Sequence, residues 1–103
     1  MNLKQELGEK IKRIRKNRGL TQEQLAEKLD LDVGYISKLE VGRNFPTIGT
    51  LEKIANALDV ELYELFRYTN IKSEDFKDDL IKIYDNLSKD KQFTLYRVAK
   101  AME

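Results

Sequence analysis

Apolar residues recur at helical spacing in a series of short segments, each bounded by polar residues, glycine or proline. The first segment places four of them at i, i+4, i+8 and i+11: Leu3, Leu7, Ile11 and Ile14. This spacing predicts a helix from residue 2 or 3 to residue 17, with one buried stripe. The same pattern predicts helices over roughly 22–29, 33–41, 48–58 and 61–67, and two more that begin after Ser73 and Ser88. The chain is therefore predicted to be all-α.

Residues 21–43 contain two helix starts separated by a very short turn. Thr21 is a suitable N-cap for the first helix, and Gln24, three residues later, completes a capping box. Asp32 is the N-cap candidate for the second helix, and Gly42 supplies a left-handed position at which that helix can end. Because residues 30–32 are too few to reverse the chain, the two helices should cross steeply. This arrangement is a helix-turn-helix.

The predicted helices fall into two groups along the chain. Five of them lie within residues 1–67, which predicts one compact all-α domain. A polar stretch at 68–72 then connects this domain to a two-helix hairpin, so that residues 68–103 form a second unit. A hairpin this short cannot bury two apolar helix faces by itself. We therefore expect it to pack on the first domain or on another chain.

The composition removes several kinds of chemistry. The sequence has no cysteine and no histidine, which excludes disulfides, thiolate metal sites and the commonest general base. It also lacks a phosphate-binding glycine loop and a paired acidic motif between apolar runs. The acidic pairs Asp78–Asp79 and Asp30/Asp32 could suggest a metal site, but neither has an EF-hand pattern, and we interpret them as surface charge and helix capping. We expect no enzymatic activity, no metal and no cofactor.

The amino-terminal residues are charged and lack the apolar core of a signal peptide. No apolar run approaches the ~18 residues needed to span a bilayer. We expect a cytoplasmic protein that does not enter a membrane.

Positive charge is concentrated at one end of the chain. The net charge is only +1, but residues 1–20 carry seven basic and two acidic side chains, whereas residues 21–44 sum to −2. A local basic surface is what a nucleic-acid-binding protein requires. The alternative interpretation is a helix face that is simply solvated.

A helix-turn-helix favours DNA as the partner. Its second helix has the width to enter the major groove with its amino-terminal residues against base edges. The first helix then lies across the backbone, where its free N–H groups and positive dipole end suit a phosphate. In this chain that end is Thr21–Gln22.

Two stretches of the helix-turn-helix segment resemble a known family. Residues 19–26 read GLTQEQLA, and residues 35–43 contain YISKLE followed by GR. Together with LEKIANAL at 51–58, they resemble the lambda-repressor-like, Cro/C1-type (XRE) DNA-binding domain over roughly residues 7–67. The resemblance implies a five-helix domain, sequence-specific operator binding, and a homodimer on a palindromic site.

By position, the resemblance assigns base contacts to four residues of the recognition helix: Val33, Gly34, Ser37 and Lys38. It assigns phosphate contacts to another four: Gln22, Tyr35, Arg43 and Asn44. Arg15 and Glu40 match a pair that forms an inter-helix salt bridge in related repressors, so we interpret both as structural.

The recognition helix departs from the family pattern at its start. Related phage repressors often carry long polar residues there, whereas Val33 and Gly34 offer only apolar contact and close approach. Lys38 is then the best candidate for hydrogen bonds to guanine O6 and N7, and Ser37 is a secondary, less discriminating contact. Two alternatives stay open: Lys38 as a solvated lysine, and Tyr35 as partly buried packing rather than a phosphate ligand.

Our leading hypothesis is a transcriptional regulator, more specifically a repressor, that binds double-stranded DNA as a homodimer. The dimer would form through the apolar faces of the hairpin: Phe76, Leu80, Ile83, Tyr84, Leu87, Phe93, Leu95, Tyr96, Val98 and Met102. A family-type contact around Leu62 could add to this interface or replace it. The second hypothesis is a protein-interaction adaptor without operator binding, and a regulatory protein partner also stays open.

Overall fold

The computed structural model describes residues 2–67 and 76–103, and every regular element in these ranges is helical. The elements are α1 Leu3–Asn17, α2 Gln22–Leu29, α3 Val33–Glu40, α4 Ile48–Leu58, a 3₁₀ helix Leu62–Phe66, α5 Phe76–Asn86 and α6 Lys89–Ala101. The prediction of an all-α fold is confirmed. The chain divides into two compact units, residues 1–67 and 68–103.

The helices begin at side chains that cap them. The side chains of Asn2 and Thr21 each accept a hydrogen bond from the backbone three residues on, and both complete capping boxes, with Gln5 and Gln24. Asp32, Thr47 and Ser88 cap α3, α4 and α6. These caps satisfy backbone N–H groups that have no partner inside the helix. The predicted cap Ser73 lies outside the described residues.

The first four helices end in the same way. A residue with positive φ follows each of them: Gly19, Asp30, Gly42 and Asp59. In each case its N–H and the next N–H donate to carbonyls of the last helical turn, as in a Schellman motif. After α3, for instance, Gly42 N donates to Leu39 O at 3.1 Å and Arg43 N to Lys38 O at 2.9 Å. Gly42 was predicted as a stop signal, whereas the two aspartates were not.

The core of the first unit is made of apolar side chains from all five of its elements. Twelve of them are buried: Leu7, Ile11, Leu25, Ala26, Leu29, Ile36, Leu39, Leu51, Ile54, Ala55, Leu58 and Leu65. Helix α3 packs against α1 and α2, and α4 packs against α2 and the 3₁₀ helix. Leu3 was wrongly predicted to be buried, and it is 49% exposed. It is the first residue of α1, one turn before the first buried position.

The fifth helix of the first unit is a 3₁₀ helix rather than an α-helix. It spans the five residues Leu62–Phe66, which begin three positions after the left-handed Asp59 and end directly before the extended Arg67. A segment this short has little room for i→i+4 hydrogen bonds, and Glu64 N instead donates to Glu61 O at 3.0 Å. Leu65 is nevertheless fully buried, so the segment still closes the core.

The second unit is a pair of helices with no buried residue in either helix. The helices are joined at Tyr84, whose carbonyl oxygen accepts hydrogen bonds from Leu87 N at 3.1 Å and Gln92 Nε2 at 2.8 Å. Most of the large apolar side chains in the pair are exposed: Phe76, Leu80, Ile81, Ile83, Tyr84, Phe93, Tyr96 and Met102. Across residues 2–67 and 76–103, each helix is too short or too polar to cross a lipid bilayer.

Candidate nucleic-acid interface

One face of α3 is exposed to solvent, and the opposite face is buried in the core. Ile36 and Leu39 are fully buried and fix the helix on its neighbours. The exposed face carries the four predicted base-contacting residues: Val33, Gly34, Ser37 and Lys38. Positions i, i+1, i+4 and i+5 lie on the same side of a helix. The structure therefore presents all four together.

The start of α3 is held by Asp32. Its Oδ1 accepts a hydrogen bond from Gly34 N at 3.1 Å, so this carboxylate caps the helix as predicted. One turn further on, Lys38 is exposed and has no ion-pair partner among the described residues. Its ammonium group is thus free to donate to another molecule.

A buried ion pair lies directly beneath this face. Arg15 Nε donates to Glu40 Oε2 at 2.7 Å, and Arg15 Nη2 donates to Glu40 Oε1 at 3.0 Å. The side chains are only 7% and 1% exposed. Arg15 Nη1 also donates to Leu20 O at 2.7 Å. The pair joins α1 to the end of α3, as the inter-helix salt bridge implied by the family resemblance would, and Arg15 also holds Leu20, two residues before α2.

Two polar side chains, Gln22 and Ser37, connect the ion pair to the protein surface through hydrogen bonds. Gln22 Nε2 donates to Glu40 Oε1 at 2.9 Å, and Ser37 Oγ donates to Gln22 Oε1 at 3.0 Å. Gln22 was predicted to donate to a phosphate, and the structure shows one of its amide hydrogens already used. A phosphate contact from Gln22 would use the second.

The other predicted phosphate contacts lie in different surroundings. Arg43 is exposed directly after the end of α3. Asn44 is partly buried, and its Oδ1 is buried without a hydrogen-bond partner in the described part of the chain. Tyr35 is half-buried and packs on the core cluster, which favours the packing interpretation for its ring. The phosphate roles of these residues stay predictions.

The basic surface of α1 is smaller than the sequence suggests. Arg15 is buried in its ion pair, and Arg18 donates from Nε to Leu58 O at 2.8 Å and from Nη2 to Asp59 O at 3.3 Å. Arg18 thus caps the carboxyl end of α4. Arg13 lies 3.8 Å from Glu9 in an exposed pair. Part of the positive charge counted over residues 1–20 is therefore used in contacts within the protein.

Gly8 positions α3 and was not singled out from the sequence. It is buried within α1, and a Cβ there would overlap the carbonyl oxygen of Leu39 and lie 2.9 Å from that of Glu40. The only sequence signal was a glycine beside Leu7 on the buried side of an otherwise good helix. Its role is to let α1 approach the end of α3.

The residues predicted for dimerisation differ in exposure. Leu62 is half-buried against the core of its own unit, so only part of its surface is available to a partner. In the hairpin, six are exposed: Phe76, Leu80, Ile83, Tyr84, Phe93 and Tyr96, together with Met102 at its end. Three are partly buried: Leu87, Leu95 and Val98. The dimer role of these residues stays a prediction.

Comparison with known proteins agrees with this geometry. Residues 11–65 match the family model HTH_3, described as Helix-turn-helix. The chain is 46% identical to the immunity repressor protein of Bacillus phage phi105 over 56 residues. This aligned segment covers 54% of this chain and 39% of the phage repressor. The match thus spans well under half of the phage protein.

Two solved structures share the fold. The restriction-modification controller protein C.AhdI from Aeromonas hydrophila superposes with a TM-score of 0.59 and 35% identity, over 60% of this chain and 94% of that one. The master regulator for biofilm formation SinR, solved in complex with DNA, gives a TM-score of 0.57 and 35% identity, over 59% of this chain and 98% of that one.

Proposed function

This chain belongs to the HTH_3 helix-turn-helix family, and on that basis we propose that it is a transcriptional repressor that binds a specific DNA sequence. Its relatives are named as regulators rather than as enzymes. Helix α3 enters the major groove, and its exposed face contacts base edges.

The observation that carries this proposal is the division of α3 into two faces. Its buried side is fixed by Ile36 and Leu39, and its open side presents small or flexible side chains together with a free lysine. A rigid helix with an open polar face is what direct contact with base edges requires. Lys38 supplies donors for guanine O6 and N7, and Val33 supplies apolar contact for a thymine methyl group.

The proposed active form is a homodimer on a palindromic site. Support comes from the hairpin, because two amphipathic helices leave their aromatic and aliphatic residues exposed in the single chain. A second copy offers the same apolar surface, and an isologous contact of this kind is the commonest way in which subunits pair. Two α3 helices would then lie in successive major grooves, about 34 Å apart.

Selection of bound sequences from a random duplex pool tests the proposal. The full-length chain should enrich two inverted half-sites whose centres lie about 10 base pairs, or a multiple of this, apart. Binding should weaken steeply as salt is raised, because cations displace the phosphate contacts. An adaptor protein that does not bind an operator would enrich nothing and show negligible, salt-insensitive affinity for DNA.

Lys38→Ala tests the main base contact. We expect weaker operator binding by about 1–3 kcal/mol and a relaxed preference at one position of each half-site, because a specific hydrogen-bond donor is lost. The measurement is titration against the selected operator and against single-base variants of it. Lys91→Ala removes the same charge from α6 and should leave the base preference intact. An unchanged preference in Lys38→Ala would show that Lys38 does not contact the bases.

Phe93→Glu tests the dimer surface. Phe93 is 62% exposed on α6, and a carboxylate there would have to be desolvated in an apolar interface. We expect sedimentation velocity to show a dimer for the wild-type chain and a shift towards monomer for the variant. The matched control is Thr94→Glu, which adds the same charge one position along the helix. Equal behaviour of the two variants would place the dimer contact elsewhere, with Leu62 the next surface to test.

A further inference from the structure

Gln22 links the buried ion pair to Ser37, and the hydrogen bonds of this link can run in one direction only. An ionised carboxylate can accept hydrogen bonds but cannot donate them, and a guanidinium can donate but cannot accept. Glu40 Oε1 therefore accepts both from Arg15 Nη2 at 3.0 Å and from the neighbouring amide of Gln22 at 2.9 Å. Since Glu40 is almost completely buried, water does not compete for this oxygen.

This constraint fixes the orientation of the Gln22 amide. Only the NH₂ end can face Glu40, so the carbonyl end must face the other way, towards Ser37. Gln22 Oε1 is an acceptor, and Ser37 Oγ lies 3.0 Å from it. The serine hydroxyl must consequently use its single hydrogen in this bond.

We propose that Ser37 meets the DNA as a hydrogen-bond acceptor and selects a base with an exocyclic amino group, cytosine N4 or adenine N6. The inference rests on the proposed function, because it assumes that the exposed face of α3 contacts bases. With its hydrogen held by Gln22, Oγ has only lone pairs to offer, and these pair with a donor rather than with guanine O6 or thymine O4.

The inference changes the role expected of Ser37. A free serine can rotate its hydroxyl to donate or to accept, and for this reason it discriminates poorly between bases. Here the neighbouring residues remove that choice, so that Ser37 becomes a specificity-determining residue and Gln22 a positioning residue. The adjacent Lys38 can only donate. The two residues together present opposite hydrogen-bonding requirements to neighbouring base edges.

The first test compares operator preferences of the wild-type chain with those of three variants in the random-pool selection. Ser37→Ala removes the acceptor and should abolish the preference for cytosine or adenine at one position of each half-site. Ser37→Thr keeps the hydroxyl and should retain that preference. Gln22→Met removes the amide but keeps the length of the side chain, so the freed hydroxyl should also be able to donate to guanine O6 or thymine O4 and tolerate these bases at that position.

The expected size of these changes is that of a single hydrogen bond. Discrimination at the affected position should fall by about 2- to 10-fold in Ser37→Ala and Gln22→Met, measured by titration of the four single-base operator variants. The change is in which base is preferred, which a general loss of stability would not produce. Lys38→Ala should alter a different position.

A second test needs no DNA. One side-chain amide hydrogen of Gln22 should exchange with solvent more slowly than those of Gln5 and Gln24 in the free protein, as measured by NMR. Gln5 and Gln24 are matched controls, because both use their Oε1 to accept a backbone N–H. Equal exchange of all three side chains would overturn the inference.

The outcomes separate the inference from the proposed function. If the selection enriches an operator whose Ser37-dependent position is guanine or thymine, or in which Ser37→Ala changes no position, the inference is wrong and the proposed function stands. If no sequence is enriched, the proposed function fails and the inference fails with it. A preference for cytosine or adenine that Ser37→Ala removes supports both.

Discussion

The two units of this chain use similar helices to opposite effect. In residues 2–67 the apolar stripes of the helices meet in a core of twelve buried side chains. In residues 76–103, α5 and α6 also carry apolar side chains at helical spacing, yet no residue of either helix is buried. Helical periodicity therefore states which face of a helix is apolar, but the neighbouring elements decide whether that face is covered.

One ion pair from each unit shows a similar contrast in burial. The first unit places Arg15 and Glu40 inside, where each needs the other. The hairpin holds an ion pair, Lys100 with Glu103 at 2.9 Å, at the surface with side chains 53% and 70% exposed. Burial raises the cost of losing a partner, whereas water replaces a partner at the surface. Matched substitutions in the two units should measure this difference.

The largest expected effect comes from the ion pairs. Glu40→Gln leaves Arg15 buried without a counter-charge, and it should lower the free energy of unfolding by about 3–5 kcal/mol. Glu103→Gln removes one partner of the exposed pair and should cost about 0–1 kcal/mol. Urea unfolding followed by circular dichroism measures both. If both variants lost a similarly small amount of unfolding free energy, the expected difference between the buried and the exposed ion pair would be contradicted.

A double substitution sharpens the same point. In Arg15→Met/Glu40→Leu no charge remains buried, so much of the stability lost in Glu40→Gln should return. Gln22 would lose its acceptor in this variant, and its amide hydrogens should then exchange quickly. Retention of slow exchange would show that Glu40 does not hold the amide.

The next effect concerns apolar burial. Leu58 is fully buried and Leu80 is 52% exposed. Leu58→Ala should cost about 2–5 kcal/mol through lost burial and a cavity in the core. Leu80→Ala should cost less than about 1 kcal/mol at protein concentrations too low for the proposed dimer to form. If Leu80→Ala proves as costly as Leu58→Ala under those conditions, its side chain is covered within the single chain.

The smallest expected effect is a gain. All four positive-φ residues in the described ranges lie in the first unit, and two of them are aspartates. Asp59→Gly relieves the left-handed conformation at the end of α4 and should stabilise the protein by up to about 1 kcal/mol, after the entropy of glycine is subtracted. Asp59→Ala, which keeps the Cβ, is the control and should show no gain. Thermal unfolding distinguishes the two.

The sequence predicted the local features of the fold well. The caps Thr21, Asp32 and Ser88 are side chains whose partner lies two or three residues away, so their role is visible in the sequence. The left-handed aspartates were missed because aspartate is common both before and after a helix. Asp30 ends α2 and Asp32 begins α3, although the same residue type stands at both positions.

The candidate site was predictable only in outline. The exposed face of α3 followed from helical spacing, since buried Ile36 and Leu39 define the opposite side. The hydrogen bonds that orient Gln22 and Ser37 join residues 15 and 18 positions apart, which no local pattern encodes. Arg18 likewise looked like part of a basic surface, and its bonds to the end of α4 cross 40 and 41 positions.

Two glycines on opposite sides of the contact between α1 and α3 have a consequence for how the protein can change. A Cβ at Gly8 would strike the end of α3, and one at Gly42 would lie 2.7 Å from Gln5 Cγ and 2.8 Å from its Cα. In a library of random variants screened for folded protein, both positions should reject every other amino acid, while Val33, Ser37 and Lys38 should accept many. If α3 contacts DNA as proposed, new base preferences can then arise while the contact between α1 and α3 stays unchanged. The absence of two side chains would keep the evolution of specificity separate from that of the scaffold.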